Sequence, residues 1–194
     1  MPPIVLASTS PYRRELLARL RIAFKVAAPA VDESAHEGET PEATARRLAL
    51  AKAEAIAKQF ADAVVIGSDQ VADVDGEPLS KPGGHDAALS QLERMQGRSI
   101  VFHTALAVVC RALSQIEVDS VPTTVKFRRL PRAALEAYLR AEEPYDCAGA
   151  AKIEALGIAL VESVRSDDPT ALIGLPLIRL TSMLANFGIS LPLR

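Results

Sequence analysis

The stretch IVLASTSPYRRELL, which spans residues 4–17, decides the fold class of this chain. Its first four residues are an apolar run typical of a buried strand. Ser10 is a favourable residue to cap a helix N-terminus, and Pro11 suits the first helical position. The stretch therefore predicts a strand that leads through a short turn directly into a helix, which is a building block of α/β folds.

The same kinds of signal recur along the chain. Thr40-Pro41 predicts a second helix that runs to about residue 60, and residues 63–67 predict a second buried strand. Further strands are predicted at 24–28, 99–109, 115–127 and 157–164, and further helices at 86–95, 131–141 and 175–187. Residues 73–84 are predicted to form a hairpin and loop, and residues 147–153 an irregular segment. Because helices and strands alternate in the first half and strands dominate the middle, we predict an α/β fold in a single domain over residues 1–194. The length allows an elongated mixed sheet with a lobe at each end and a cleft between the lobes.

Composition and charge exclude several classes of function. The 194 residues carry a formal net charge of −2, and 49% are hydrophobic and 24% charged, the balance of a globular protein. A broad nucleic-acid interface needs a basic face, and an aromatic content of 4% without Trp argues against base-stacking platforms. There is no run of about 18 apolar residues that would span a membrane, and the first residues lack a signal-peptide pattern. We therefore expect a cytoplasmic protein that binds neither nucleic acid nor membranes.

The cysteines and histidines do not form a recognisable metal site. Cys110 and Cys147 lie too far apart to be paired zinc ligands, and they allow either one disulfide or two free thiols. His36, His85 and His103 are scattered without the spacing of metal ligands. These residues therefore give no support for a zinc centre.

The turn that precedes the first helix is a candidate anion site. A helix N-terminus offers free backbone N–H groups and the positive end of the helix dipole. Arg13 and Arg14 lie in this first turn, where the dipole disfavours cations by a few tenths to about 1 kcal/mol. A bound phosphate would compensate for that cost, and a solvated pair of arginines is an equally weighted alternative. The glycine-rich signature of a P-loop is missing.

Four further charged residues are candidates for chemistry. Asp69 directly follows the predicted strand 63–67 and could be a general base, a metal ligand or simply a turn cap. Lys52 lies on the apolar face of the second predicted helix, where it either reaches a buried anion or, more usually, extends to water. Lys81 precedes Pro82 in a stiff loop, although most loop lysines are solvated. Glu33 follows Asp32 in an acidic pair that could bind Mg²⁺, although an ordinary acidic loop is the favoured alternative when the pair is taken by itself.

Taken in order, these motifs resemble those of the Maf family of nucleotide pyrophosphatases. Residues 6–17, LASTSPYRRELL, are similar to the family's opening signature. The later motifs are matched in order by VDE at 31–33, AKA at 51–53, GSDQV at 67–71, SKP at 80–82, CAG at 147–149, GI at 157–158 and GLP at 174–176. The resemblance covers nearly the whole chain. It implies an elongated, twisted sheet flanked by helices, a nucleotide cleft between two lobes, and metal-dependent cleavage of nucleoside triphosphates between the α- and β-phosphates.

The resemblance also assigns roles to individual residues. It implies that Asp69 is the catalytic base and that Glu33, together with Asp69, holds a divalent cation, either Mg²⁺ or Mn²⁺. The positions that contact phosphate in the family are occupied here by Arg13, Arg14, Lys52 and Lys81, and the backbone from Ser8 to Ser10 would complete the phosphate cradle. A homodimer is compatible with the sequence.

Subgroups of the family differ at three further positions, occupied here by Tyr12, Gln70 and Glu154. Of these motifs, SDQ at 68–70 and KIE at 152–154 resemble the subgroup that prefers 7-methyl-GTP. N7-methylation makes guanine cationic, so stacking on an aromatic ring gains a cation–π contribution of about 0.5–2 kcal/mol. A carboxylate can also accept hydrogen bonds from guanine N1–H and N2–H₂. The subgroup usually carries Trp at the position of Tyr12 and Gly at that of Ala155, so we expect a weaker preference here. The alternatives are the same reaction on dTTP, UTP or other nucleoside triphosphates, and a non-catalytic nucleotide sensor that regulates cell division.

Overall fold

The computed structural model describes residues 2–79 and 81–192. In this part of the chain the strands are β1 Ile4–Ala7, β2 Lys25–Ala27, β3 Val64–Val74, β4 Glu77–Leu79, β5 Ser99–Cys110, β6 Gln115–Phe127 and β7 Val161–Arg165. The α-helices are α1 Pro11–Ala18, α2 Pro41–Ala57, α3 His85–Met95, α4 Arg132–Glu142 and α5 Leu177–Asn186, and short 3₁₀ turns cover Ala148–Ala150 and Leu156–Leu160.

These strands form one mixed sheet in the order β2-β1-β3-β5-β6-β7, with β4 paired to β3 outside this path. β1 pairs in parallel with β2 and β3, whereas β5, β6 and β7 follow in antiparallel pairs. The prediction of an α/β fold with an elongated mixed sheet flanked by helices is therefore confirmed.

Local capping explains where the first two long helices begin. The Ser10 hydroxyl accepts a hydrogen bond from the backbone N–H of Arg13, and Pro11 occupies the first helical position. The Thr40 hydroxyl accepts from the N–H of Ala43 in the same way, and Pro41 begins α2. Both helix starts were predicted from the sequence, and both are confirmed.

The core lies on both faces of the sheet and at both of its ends. Near the parallel strands, Leu6 and Ile66 pack beneath α1 and α5, and their neighbours Val5 and Val65 pack beneath α2 on the opposite face. At the other end, a separate cluster that includes Phe102 lies beneath α3 and α4. We call the two ends of the sheet, each with its helices and apolar cluster, the two lobes. β3 and β5 contribute to both, so the polar residues in the middle of β3 lie between two apolar cores.

Two predictions about the strands were wrong. β3 extends to Val74 because β5 pairs with it along residues 65–73, so Asp69 lies inside a strand and not after its end. Residues 157–160 are not part of a strand, because the N–H of Gly157 donates to the carbonyl of Lys152 and closes a tight turn. The final strand therefore begins only at Val161.

The cysteines and the helices bear on two of the expectations from the sequence. Cys110 and Cys147 are both free thiols, with Cys110 buried and Cys147 half-buried. Within residues 2–79 and 81–192, none of the helices has the length and hydropathy required to cross a bilayer.

Candidate active site

A cavity of about 720 Å³ opens between the two lobes, within the range typical of small-molecule sites. Its walls come from the turn before α1, the loop that follows β2, α2, β3, the loop before α3 and two segments of the C-terminal third. Most of the predicted site residues line it: Ser8, Ser10, Tyr12, Arg13, Glu33, Lys52, Asp69, Gln70, Lys81 and Glu154. Arg14 is exposed and does not line the cavity. The neighbour of Lys81 in its motif, Ser80, lies outside the described residues.

A single ammonium group joins two of the carboxylates that line the cavity. Lys52 Nζ lies 2.6 Å from Asp69 Oδ1 and 2.6 Å from Glu33 Oε1. Lys52 is 6% exposed and Asp69 is 8% exposed. Lys52 therefore reaches a buried anion and does not extend to water. Its hydrogen bond to Glu33, with additional attraction from Lys81 and Arg13, lowers the pKa of the Glu33 carboxyl.

A close helix–strand contact brings Lys52 to Asp69. A Cβ on Gly67 would lie 2.2 Å from the carbonyl oxygen of Ala49 and 2.8 Å from the backbone nitrogen of Ala53, both in α2. Only a glycine therefore allows α2 to lie this close to β3. The contact is two residues before Asp69 in β3, and Lys52 projects from the same stretch of α2.

Arg13 connects α1 to the far C-terminal part of the chain. Its Nε donates to the carbonyl of Gly174 at 2.8 Å, and the hydroxyl of Ser68 donates to the same oxygen at 2.9 Å. Burial lowers the pKa of the Arg13 guanidinium, while the nearby carboxylates of Asp69 and Glu33 oppose that shift. The arginine thus places a positive charge in the cavity next to the carboxylate pair.

The serine hydroxyls before α1 are engaged in building the turn. The N–H of Ser10 donates to the Ser8 hydroxyl at 3.1 Å, and the Ser10 hydroxyl caps α1. Ser8 is buried, and both residues face the cavity. The Ser8 hydroxyl therefore engages the N–H of Ser10, one of the backbone groups expected to bind phosphate, while the turn lines the cavity next to Arg13.

The three predicted selectivity residues lie in the same cavity but have different surroundings. The side-chain amide of Gln70 donates to the hydroxyl of Thr104 at 2.9 Å and to the carbonyl of Leu172 at 2.9 Å. Glu154 keeps contact with solvent at the cavity wall, while surrounding protein atoms desolvate its carboxyl and raise its pKa. The ammonium group of Lys152 lies over the ring of Tyr12, with Nζ 5.6 Å from the ring centroid. Gln70 thus supports the loop that ends at Gly174, whereas Tyr12 and Glu154 both line the cavity.

Comparison with known proteins shows the family of this chain. The sequence model of the family described as Maf-like protein matches residues 3–187. This chain belongs to the Maf family. Its Maf relatives include proteins named 7-methyl-GTP pyrophosphatase from Albidiferax ferrireducens, 60% identical over 96% of this chain and 94% of the relative, and from Polaromonas sp., 58% identical over 97% and 86%. Another of that name, from Methylobacillus flagellatus, is 56% identical over 97% of this chain and 98% of the relative. The family resemblance found in the sequence is confirmed.

Two buried residues that support the loop before α5 were not singled out from the sequence. Thr104 is fully buried, and its hydroxyl donates to the carbonyl of Ala171 at 2.9 Å. Asp168 is 2% exposed, and its Oδ2 accepts from the backbone N–H of Ile178 at 2.7 Å at the start of α5. The residue that precedes α5, Pro176, has no side chain that can cap the helix. This proline was the signal in the sequence that another residue must supply the cap.

The carboxylates of Glu33 and Asp69 are the candidate ligands for a divalent cation. Within residues 2–79 and 81–192, no cluster of three or more His, Cys, Asp and Glu residues is placed to hold a metal ion. Glu33 and Asp69 together supply two carboxylates on one side of the cavity. Mg²⁺ in nucleotide enzymes commonly takes one or two carboxylates together with substrate phosphates and water. The donor set therefore fits a divalent cation that binds along with a nucleotide.

Proposed function

We propose that this protein hydrolyses 7-methyl-GTP to 7-methyl-GMP and pyrophosphate, and that it clears this modified nucleotide from the cytoplasm. One observation carries the proposal: Asp69 lies in the same cavity as Arg13, Lys52 and Lys81, with Tyr12 and Glu154 also in its wall. A carboxylate among cations suits a reaction on a chain of phosphates. The names of the similar Maf proteins support both the reaction and the substrate.

In the proposed reaction, Asp69 accepts a proton from a water molecule as the water oxygen bonds to the α-phosphorus. The bond from that phosphorus to the oxygen bridging the α- and β-phosphates breaks, and pyrophosphate leaves. Negative charge grows on the leaving group, and Arg13 and Lys81 would stabilise it. Lys52 contacts Asp69 directly and orients its carboxylate. We leave Arg14 out of the phosphate site because it is exposed and outside the cavity wall.

We assign Glu33 and Asp69 as the residues that would hold the divalent cation, Mg²⁺ or Mn²⁺. When bound, the cation neutralises charge on the phosphate oxygens. The salt bridge from Lys52 to both carboxylates keeps the two side chains together before the nucleotide enters. Lys52 occupies one oxygen of each carboxylate, so a cation that arrives with the substrate would bind the second oxygen of each.

The base would lie between Tyr12 and Glu154. A cationic 7-methylguanine gains from stacking on the Tyr12 ring, and the carboxylate of Glu154 can accept from N1–H and N2–H₂. Uracil and thymine carry one N–H donor between two carbonyl acceptors, so they match this carboxylate less well. The arrangement therefore favours 7-methyl-GTP over UTP and dTTP.

The test is a pyrophosphate-release assay with Mg²⁺ or Mn²⁺ across 7-methyl-GTP, GTP, UTP and dTTP, on the wild type and Asp69→Asn. We expect the wild type to prefer 7-methyl-GTP. Loss of the general base should lower turnover by about 10²–10⁴-fold, and nucleotide affinity should stay within about tenfold, or about 1.4 kcal/mol. A preference for UTP or dTTP would contradict the proposed substrate, and binding without any turnover in the wild type would favour a sensor.

Asp73→Asn is a matched control for this experiment. Asp73 lies four residues further along the same strand, pairs with His103 at 3.2 Å and does not line the cavity. The same chemical change at that position should leave turnover at the wild-type level. Equal losses in the two variants would show that Asp69 acts on the stability of β3 and not on the reaction.

A further inference from the structure

We propose that Lys152 is a positioning residue for base selectivity, because it joins the two walls formed by Tyr12 and Glu154. The proposal rests on the proposed function, since it assumes that the base lies between these walls. Lys152 does not line the cavity and is not expected to touch the nucleotide. Its role would be to hold two residues that do.

The side chain of Lys152 connects α1 to α4. Its Nζ lies 5.6 Å from the Tyr12 ring centroid and 2.9 Å from Glu142 Oε1 near the end of α4. The side chains of Lys152 and Glu142 are 23% and 15% exposed, so the ion pair is largely shielded from water. Because Tyr12 lines the cavity and Lys152 does not, the ammonium supports the ring from outside the cavity.

The backbone of Lys152 builds the turn that carries Glu154. Its carbonyl accepts from the N–H groups of Ala155 and Gly157, both at 3.0 Å. A Cβ on Gly157 would lie 2.5 Å from that carbonyl oxygen, so the turn can close this tightly only with glycine. The N–H of Lys152 donates to the Tyr138 hydroxyl at 3.0 Å. Glu154 is therefore held on a short turn whose two ends meet at Lys152.

α4 anchors this turn a second time, beyond Glu154. Glu142 Oε2 accepts from the N–H of Leu156 at 3.2 Å, while its Oε1 binds the Lys152 ammonium. The carboxylate of Glu142 thus binds the turn on both sides of Glu154. Since Tyr12 belongs to α1 and Glu154 to this turn, the side chain of Lys152, held by Glu142, links the position of one wall to that of the other.

Two physical roles for the pair predict opposite results. If the charges themselves mattered, removing the ammonium would favour a cationic base at Tyr12, whereas removing the Glu142 charge would disfavour it. If the pair acts by position, as we propose, removing either partner loosens both walls and lowers selectivity. Positional coupling also predicts that the double variant loses little more than each single variant.

The experiment measures kcat and KM for 7-methyl-GTP and UTP in the wild type, Lys152→Met, Glu142→Gln and the double variant. We expect each single change to lower the 7-methyl-GTP preference by about tenfold, through KM, with kcat nearly unchanged. Lys152→Arg keeps the cation and should retain the wild-type preference. Lys126→Met, which breaks the exposed 3.0 Å pair of Lys126 with Glu162, is the control and should change neither constant.

Three results would overturn the proposal: an unchanged preference in both single variants, shifts in opposite directions, or equal losses on both nucleotides. Thermal unfolding of each variant shows whether a loss of selectivity comes from a loss of stability. If it does, the preference of Lys152→Arg for 7-methyl-GTP decides whether the proposal holds. The wild-type data separate this proposal from the proposed function. A wild type that prefers UTP contradicts the substrate assignment, whereas the variants still report whether Lys152 affects discrimination between bases.

Discussion

Lys52 illustrates how the site is stabilised at the scale of single residues. Burying an ammonium group in a protein is costly unless it is paired, and removing one partner of a buried pair typically costs 3–5 kcal/mol. Here one lysine is paired with both Asp69 and Glu33. The pairing offsets the cost of placing the proposed catalytic carboxylate almost out of contact with water.

Glu154→Gln should reduce selectivity before it reduces hydrolysis. The neutral amide cannot offset the charge of a methylated base, and it replaces one acceptor oxygen with a donor. We expect the ratio of kcat/KM for 7-methyl-GTP over UTP to fall by about tenfold, with UTP hydrolysis changed much less. Equal loss on every nucleotide would instead mean that Glu154 has a structural or catalytic role.

The pH dependence of selectivity provides an independent test of Glu154. Desolvation raises the pKa of this carboxyl, so it takes up a proton at a higher pH than an ordinary glutamate. Its negative charge is present above the raised pKa and is lost as the pH falls through it. The wild-type preference for 7-methyl-GTP over UTP should therefore decline on acidification, while that of Glu154→Gln should change little. Parallel pH profiles of the two proteins would contradict this assignment.

At the scale of elements, the contact between α2 and β3 positions the site. Gly67 lets the helix backbone approach the strand, and the N-cap at Thr40 sets where that helix begins. The loop that precedes α2 is in turn tied to it, because Glu39 accepts from Arg47 at 2.7 Å and its pKa is lowered to about 2 by that hydrogen bond. Glu33 lies in this loop, so one helix positions both Lys52 and Glu33.

Gly67→Ala should destabilise the protein and impair the reaction together. The added methyl group would overlap the backbone of α2, and overpacking of this kind costs about 1–3 kcal/mol or more. Urea unfolding should show this loss, and kcat should fall because Lys52 is displaced from Asp69. Gly84→Ala is the matched control, since a Cβ there meets nothing within 4 Å. Wild-type stability in Gly67→Ala would contradict the close contact.

At the scale of the whole molecule, the cavity unites segments from both lobes and both ends of the chain. Arg13 comes from α1, Asp69 from a strand shared by the lobes, and Gly174 from the loop before α5. Asp168 caps α5 from outside the helix and thereby holds the start of α5 next to this loop. A ligand in the cavity contacts all of these parts and should stabilise the entire fold.

Binding of 7-methyl-GTP with Mg²⁺ should therefore raise the melting temperature. A ligand at 100 times its Kd adds about 2.7 kcal/mol, which corresponds to roughly 5–11 °C for a chain of this size. The measurement uses Asp69→Asn, so that the nucleotide is not consumed, and 7-methylguanosine without phosphates as the comparison ligand. The nucleoside should give a much smaller shift. No shift with any nucleotide and metal would contradict a nucleotide site in this cavity.

Local sequence signals predicted the beginnings of α1 and α2 because capping and proline geometry act within a few residues. The order of the motifs indicated the family, and most of the predicted site residues line one cavity. Arg14 does not join them, because successive residues on a helix point roughly 100° apart and Arg13 already faces the cavity. Sequence proximity to a motif therefore could not decide which arginine faces the substrate.

The sequence by itself determined the fold class, the family and the residue types available for chemistry, since these depend on short-range pattern and on motif order. Only the tertiary structure decided that Asp69 lies within β3, that Lys52 is buried against it, and that Lys152 links Tyr12 to the turn of Glu154. Those arrangements depend on contacts between residues that are distant along the chain. Such contacts form where backbones pack closely, as α2 does on Gly67, and a pattern of neighbouring residues does not encode that distance.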